Sequence, residues 1–63
     1  MKEIRTPTAA HEIKQGDLVL WRGAAMKVRL VERQAFQMRL VIGGAVVTVP
    51  HREKLIVLSY KPT

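Results

Sequence analysis

A chain of 63 residues with 11 Lys and Arg, 5 Asp and Glu and a formal net charge of +6 is one small basic domain. At this size only about 60% of the unfolded surface is buried, which leaves no room for a second core. The absence of cysteine excludes disulfides and thiolate metal sites and sets the expectation of a reducing, cytoplasmic setting. Met1–Thr8 holds no apolar run of signal-peptide length, and the longest uncharged stretch, 40–51, is broken by glycine and far short of a membrane span. No membrane partner is expected.

In chain order, residues 1–12 have mixed charge and no sustained period, and are expected to form a flexible N-terminal arm ahead of a domain at 13–60 and a C-terminal tail at 61–63. Ile13-Lys14-Gln15-Gly16-Asp17 is a turn signal, with Asp17 there for turn chemistry. Leu18–Arg22 reads as a first strand, and Gly23-Ala24-Ala25 as a reversal. Met26, Val28 and Leu30 alternate with Lys27, Arg29 and Val31, the period of a half-buried second strand. A three-residue turn, Arg33-Gln34-Ala35, leads to a third strand at 36–42. Gly43-Gly44 then fits a two-residue type I′ hairpin, because glycine alone takes φ > 0 at both central positions freely. That turn pairs Ile42 with Ala45, Leu40 with Val47 and Met38 with Val49 on one face, and Val41 with Val46 and Arg39 with Thr48 on the other. After Pro50, His51-Arg52-Glu53 suits a short 3-10 turn, and Lys54–Ser59 forms the last strand.

Carried through both turns, this register predicts inner rows Leu30-Met38-Val49, Val28-Leu40-Val47 and Met26-Ile42-Ala45, with Phe36 on the same face. It also sets Arg29 opposite Arg39 on the outer face and turns Val19, Val31, Val41 and Val46 outward, where either the strongly bent sheet itself or the second subunit of a homodimer covers them. The predicted fold is all-β, a five-stranded small barrel with a short 3-10 turn before the last strand. Over Gly16–Ser59 the chain resembles the SH3-like small β-barrels, including KOW-type modules and transposase barrels. The resemblance rests on Gly16-Asp17-Leu18-Val19 opening a strand, the hydrophobic meander, and Val49-Pro50-His51-Arg52-Glu53-Lys54-Leu55 as the link to the last strand. An OB-fold is the next candidate.

Nothing in the sequence assembles an active site. His11 and His51 have no companions at metal-ligand spacing, Glu53 between Arg52 and Lys54 reads as an exposed ion-pair partner, and no serine is set as a nucleophile. No catalytic residue, metal or cofactor is expected. The basic residues carry the functional signal, since no acid lies between Leu18 and Val31 or between Arg33 and Arg52. Arg29 and Arg39, with Lys27 and Thr48 beside them, read as an anion clamp, or as two arginines snorkelling apart over valines. Trp21 beside Arg22 reads as a stacking residue for bases, or as packing at a barrel end. Arg52 and Lys54 extend the candidate surface. The expected function is an accessory or regulatory factor that binds DNA or RNA mainly through the phosphate backbone. The alternative is an interaction module or inhibitor docking on an acidic or self-complementary protein surface. So compact a lone domain would suit a phage or mobile element.

Overall fold

The computed structural model describes residues 2–61. Met1 and two of the three expected tail residues, Pro62 and Thr63, lie outside the described residues. Six strands form: β1 (Lys2–Ala9), β2 (Leu18–Trp21), β3 (Ala24–Arg33), β4 (Met38–Ile42), β5 (Ala45–Val49) and β6 (Lys54–Lys61), with a 3-10 turn at Ala10–Glu12 between β1 and β2. They make one antiparallel sheet in the order β1-β6-β2-β3-β4-β5. The all-β class is as expected. The five-stranded barrel is corrected to six strands in an open sheet, with β1 and β5 as its edges.

The additional strand is β1, where the sequence has no apolar period. It is held by its backbone: Lys2 through Ala9 pair with Lys61 through Lys54, and most of its side chains are exposed on both faces. A strand stabilised by its ladder alone needs no alternation, and Pro7, which cannot donate, is tolerated there because β1 is an edge. β6 correspondingly runs on to Lys61. The 3-10 turn falls at Ala10–Glu12. The link before β6 is a single reverse turn, in which the Glu53 N–H donates to the Pro50 carbonyl at 3.0 Å.

β3 bends the sheet. Its first part, Ala24–Lys27, pairs with β2, and its second, Val28–Arg33, pairs with β4, with a bulge between Val28 and Leu30. An extra residue bends a strand and raises its twist, so the two parts of the sheet close face to face over one core. Val19 and Leu55 from one side meet Val28, Met38, Leu40, Ile42 and Val47 from the other, with Ala10 and Ile13 at an end.

The Gly43-Gly44 hairpin has all five predicted pairs. Its turn type differs: Gly43 has φ +60 and Gly44 has no positive φ, the sign pattern of type II′. The type I′ pattern, φ > 0 at both central positions, belongs instead to Arg22 (φ 53) and Gly23 (φ 81), which join Trp21 directly to Ala24. The β3–β4 register also differs from expectation. Arg33 pairs with Met38, so the loop has four residues, Gln34–Gln37, and past the bulge Val31 pairs with Leu40 and Glu32 with Arg39. Val31 therefore packs against the core, while Leu30, expected inside, is 48% exposed and Phe36 is 93% exposed. Val19, expected outside, is fully buried, and Ala45, expected inside, is exposed. Of the four supposedly outward valines, only Val41 and Val46 face away from the core.

Gly43 and Gly44 provide a test of the turn. A Cβ on Gly43 would lie 3.1 Å from the Met26 sulfur, at a backbone angle that L-residues avoid, whereas one on Gly44 meets nothing within 4 Å. Gly43→Ala should destabilise by at least about 1 kcal/mol. Gly44→Ala should be neutral or stabilising by up to about 1 kcal/mol through the unfolded chain. Urea unfolding of both variants measures the contrast; equal costs would mean a type I′ turn.

Candidate nucleic-acid interface

The bulge organises a basic cleft. In the turn before β2, the Lys14 N–H donates to the Asp17 carboxylate at 2.9 Å and the Asp17 N–H donates to the Lys14 carbonyl at 3.1 Å, so Asp17 is a turn residue. This turn then binds β3: the Gly16 N–H donates to the Val28 carbonyl and the Val28 N–H to the Asp17 carbonyl, both at 2.8 Å. Beside it lies a cleft of about 390 Å³ lined by Gln15, Gly16, Lys27, Val28 and Arg29. Lys27 and Arg29 are exposed, and the cleft has two cations and an amide in its lining with no carboxylate. Such a lining fits a phosphate or carboxylate oxygen.

The expected row of Arg29 opposite Arg39 does not form. The bulge shifts the register so that Glu32 faces Arg39, with a 3.9 Å contact between carboxylate and guanidinium, and Thr48 completes that row from the other side. Continued from the Val28–Ile42 pair without the bulge, the ladder would set Val31 opposite Arg39, so the extra residue exchanges an apolar partner for a carboxylate. Both side chains of the ion pair are about half exposed, so its own contribution to stability is small. Arg39 thus belongs to a locally neutral row, and Arg29 belongs to the cleft.

A second basic group lies at the other end of β2. Trp21 is half-buried and packs against the core, and the Arg22 guanidinium lies 6.0 Å from the centre of its ring, at the outer reach of a cation–π contact. Leu20 pairs with Ile56, which carries position 22 to the level of Lys54 at the start of β6. Arg22 holds a left-handed backbone, a conformation usually left to glycine or asparagine. Arg52 is exposed in the adjoining turn, and Glu53 joins no ion pair among the described residues, its carbonyl accepting the Ala10 N–H at 2.8 Å instead.

Two features depart from the sequence reading, which set Phe36 on the inner face and His51 in a turn without a partner. The first is Phe36, at the tip of the β3–β4 loop and 93% exposed. The second is the lock on that loop. His51 Nε2 lies 2.7 Å from the Gln34 carbonyl and 3.0 Å from the Gln37 carbonyl; both can only accept, so Nε2 carries the hydrogen and donates to both. The Gln34 N–H donates to the Gln37 carbonyl at 3.0 Å, and the Gln37 amide to Gln34 Oε1 at 2.9 Å. Phe36 is therefore presented on an ordered loop. Alternation alone asks for an odd loop; the bulge in β3 changes the phase, so the loop has four residues and Phe36 leaves the strand.

Among the described residues no group of three or more His, Asp and Glu could hold a metal ion, and no helix is long and apolar enough to cross a membrane. No protein-family model matches the chain, and no curated protein or solved structure is significantly similar to it.

His51→Ala removes the only side-chain tie between the β5–β6 turn and the Phe36 loop among the described residues. The expected cost is about 1 kcal/mol, a fall in Tm of roughly 4–8 °C for a domain of this size. Faster amide exchange at Gln34 should accompany it. Unchanged stability and exchange would mean that the loop holds itself.

Proposed function

We propose that this protein is a small basic nucleic-acid-binding accessory factor that grips the phosphate backbone, with Lys27 and Arg29 at the centre of the contact. The observation that carries this reading is the cleft in which the bulge and the 14–17 turn bring those two cations together with Gln15 and no acid. Backbone recognition requires cations held beside one another on a firm scaffold, and both sides of this cleft are fixed by backbone hydrogen bonds. The net charge of +6 supplies long-range attraction to the same class of ligand. Arg22, Lys54 and Arg52, at the far end of β2, offer a second contact along an extended polyanion. Arg39 and Thr48 contribute less, because Glu32 neutralises their row.

Changing Lys27 and Arg29 together to Gln should weaken binding across all sequences. It should also flatten the dependence of log K on log salt by about 1.8, two contacts at about 0.9 each on duplex DNA. Arg39→Gln should change the slope by much less. Fluorescence anisotropy on mixed DNA and RNA from low to physiological salt measures all three proteins. Binding that ignores salt, or a double variant that matches the parent, would reject this site.

Of the two aromatic residues with a claim to stacking, Phe36 has its ring free and Trp21 does not. If the ligand has unpaired bases, Phe36→Ala should lower affinity for single strands by roughly 1–3 kcal/mol and leave duplex affinity nearly unchanged. Equal loss on both would show that Phe36 acts through something other than base stacking.

A further inference from the structure

The two edges of the sheet are built differently. β1 carries Lys2, Glu3 and Arg5 along its length, and Pro7 among them, the devices by which natural sheets discourage strand addition. β5, at the other edge, reads Ala45-Val46-Val47-Thr48-Val49 and has no charge, no proline and no bulge. Val46 is 58% exposed and Thr48 is exposed beside it.

The turn fixes which backbone groups of β5 are free. Ile42 and Ala45 flank Gly43-Gly44 and pair in the ladder, so they are the hydrogen-bonded pair that closes a two-residue hairpin. Such pairs alternate along an antiparallel ladder, so Val47 and Val49 also direct their N–H and C=O groups to β4. The N–H and C=O groups of Val46 and Thr48 point the other way, off the edge of the sheet.

We propose that β5 pairs antiparallel with β5 of a second copy about a two-fold axis at Val47, joining two sheets into one. Val46 then lies opposite the partner's Thr48, and Thr48 opposite the partner's Val46, so every outward group finds a partner, two hydrogen bonds in each of the two pairs. Centring the axis on Val46 sets Thr48 against the Gly44 turn. Centring it on Thr48 sets Val46 against Pro50, which has no N–H. The occupant is a second copy because the edge is self-complementary: a neutral strand meets its own image without opposed like charges, although each chain carries +6. The side chains agree, since β-branched Val46 and Thr48 make a favoured cross-strand pair. On the inner face Val47 meets the partner's Val47, which continues the buried Leu40–Val47 row across the junction.

The experiment is sedimentation equilibrium of the parent chain, Val46→Lys and Thr48→Pro, from low micromolar to near-millimolar concentration and at two salt concentrations. Circular dichroism verifies that each variant folds. The parent should be a dimer that tightens as salt rises, because salt screens the repulsion between two chains of charge +6. Both variants should be monomers, one through a charge on the edge and one through a lost outward N–H. In the parent, the Val46 and Thr48 amides should become protected from hydrogen exchange as concentration rises. A parent that stays monomeric throughout overturns the proposal and leaves the edge for an extended segment of another protein. A dimer that survives in both variants, or one whose Val46 and Thr48 amides stay unprotected, overturns it by placing the interface elsewhere. Neither failure touches the nucleic-acid reading, whose salt dependence has the opposite sign.

Discussion

The bulge at Arg29 is the constraint on which the rest of this structure depends. Without it, the Val28–Ile42 pairing would run on straight, Leu30 and then Glu32 would face the core, and Val31 would oppose Arg39. With it, Val31 takes the inner position, Glu32 meets Arg39, and β3 turns a corner that lets β2 and β6 pack over β4 and β5. One extra residue thus settles three things at once: the composition of the core, the charge balance of the outer face, and the curvature that makes an open sheet of 63 residues able to bury anything. The cleft is a by-product of the same event, since the backbone of Val28, beside the bulge, is taken by Gly16 and Asp17.

A second tie closes the opposite end. The Ala10 and His11 N–H groups donate to the Glu53 and His51 carbonyls, and the His51 side chain reaches the Phe36 loop. Three separate stretches of chain are joined there by hydrogen bonds. The two regions are complementary: the bulge shapes the apolar interior, and the His51 turn holds the exposed loop that carries Phe36. Ala10 and Ile13, both buried, link them by capping the core from the segment between β1 and β2.

How far the sequence discloses this follows from how local each determinant is. The β4–β5 register is legible because two glycines between two apolar runs leave one way to pair them, and every predicted pair forms. The β3–β4 register is not legible from turn signals, because Gln34-Ala35-Phe36-Gln37 contains no glycine or proline to mark its length. The information is present but distant: adjacent Leu30 and Val31 allow a change of phase, and Glu32 opposite Arg39 rewards it. β1 escapes a reading by periodicity because its ladder to β6 spans nearly the whole chain and leaves little mark on side-chain pattern. For the site, Lys27 and Arg29 could be read as outward cations, but their neighbours Gln15 and Gly16 come from a turn that only the fold brings there. Arg39 was misplaced by the register, and Phe36 by the length of the loop.

The charge and the bare edge make sense together. A neutral, β-branched edge strand is an aggregation hazard in an isolated sheet, and β5 has none of the local protections that β1 has. The remaining protection is global. A net charge of +6 on a molecule of this size opposes close approach of any two copies. That repulsion is the quantity a bound polyanion removes. Phosphates drawn to Lys27 and Arg29 would lower the electrostatic cost of bringing two β5 edges together, and two joined sheets would present two clefts to one strand of nucleic acid. By linkage, each equilibrium then favours the other by the same factor. Because the repulsion comes from the net charge of the whole chain, such a coupling would need no conformational change.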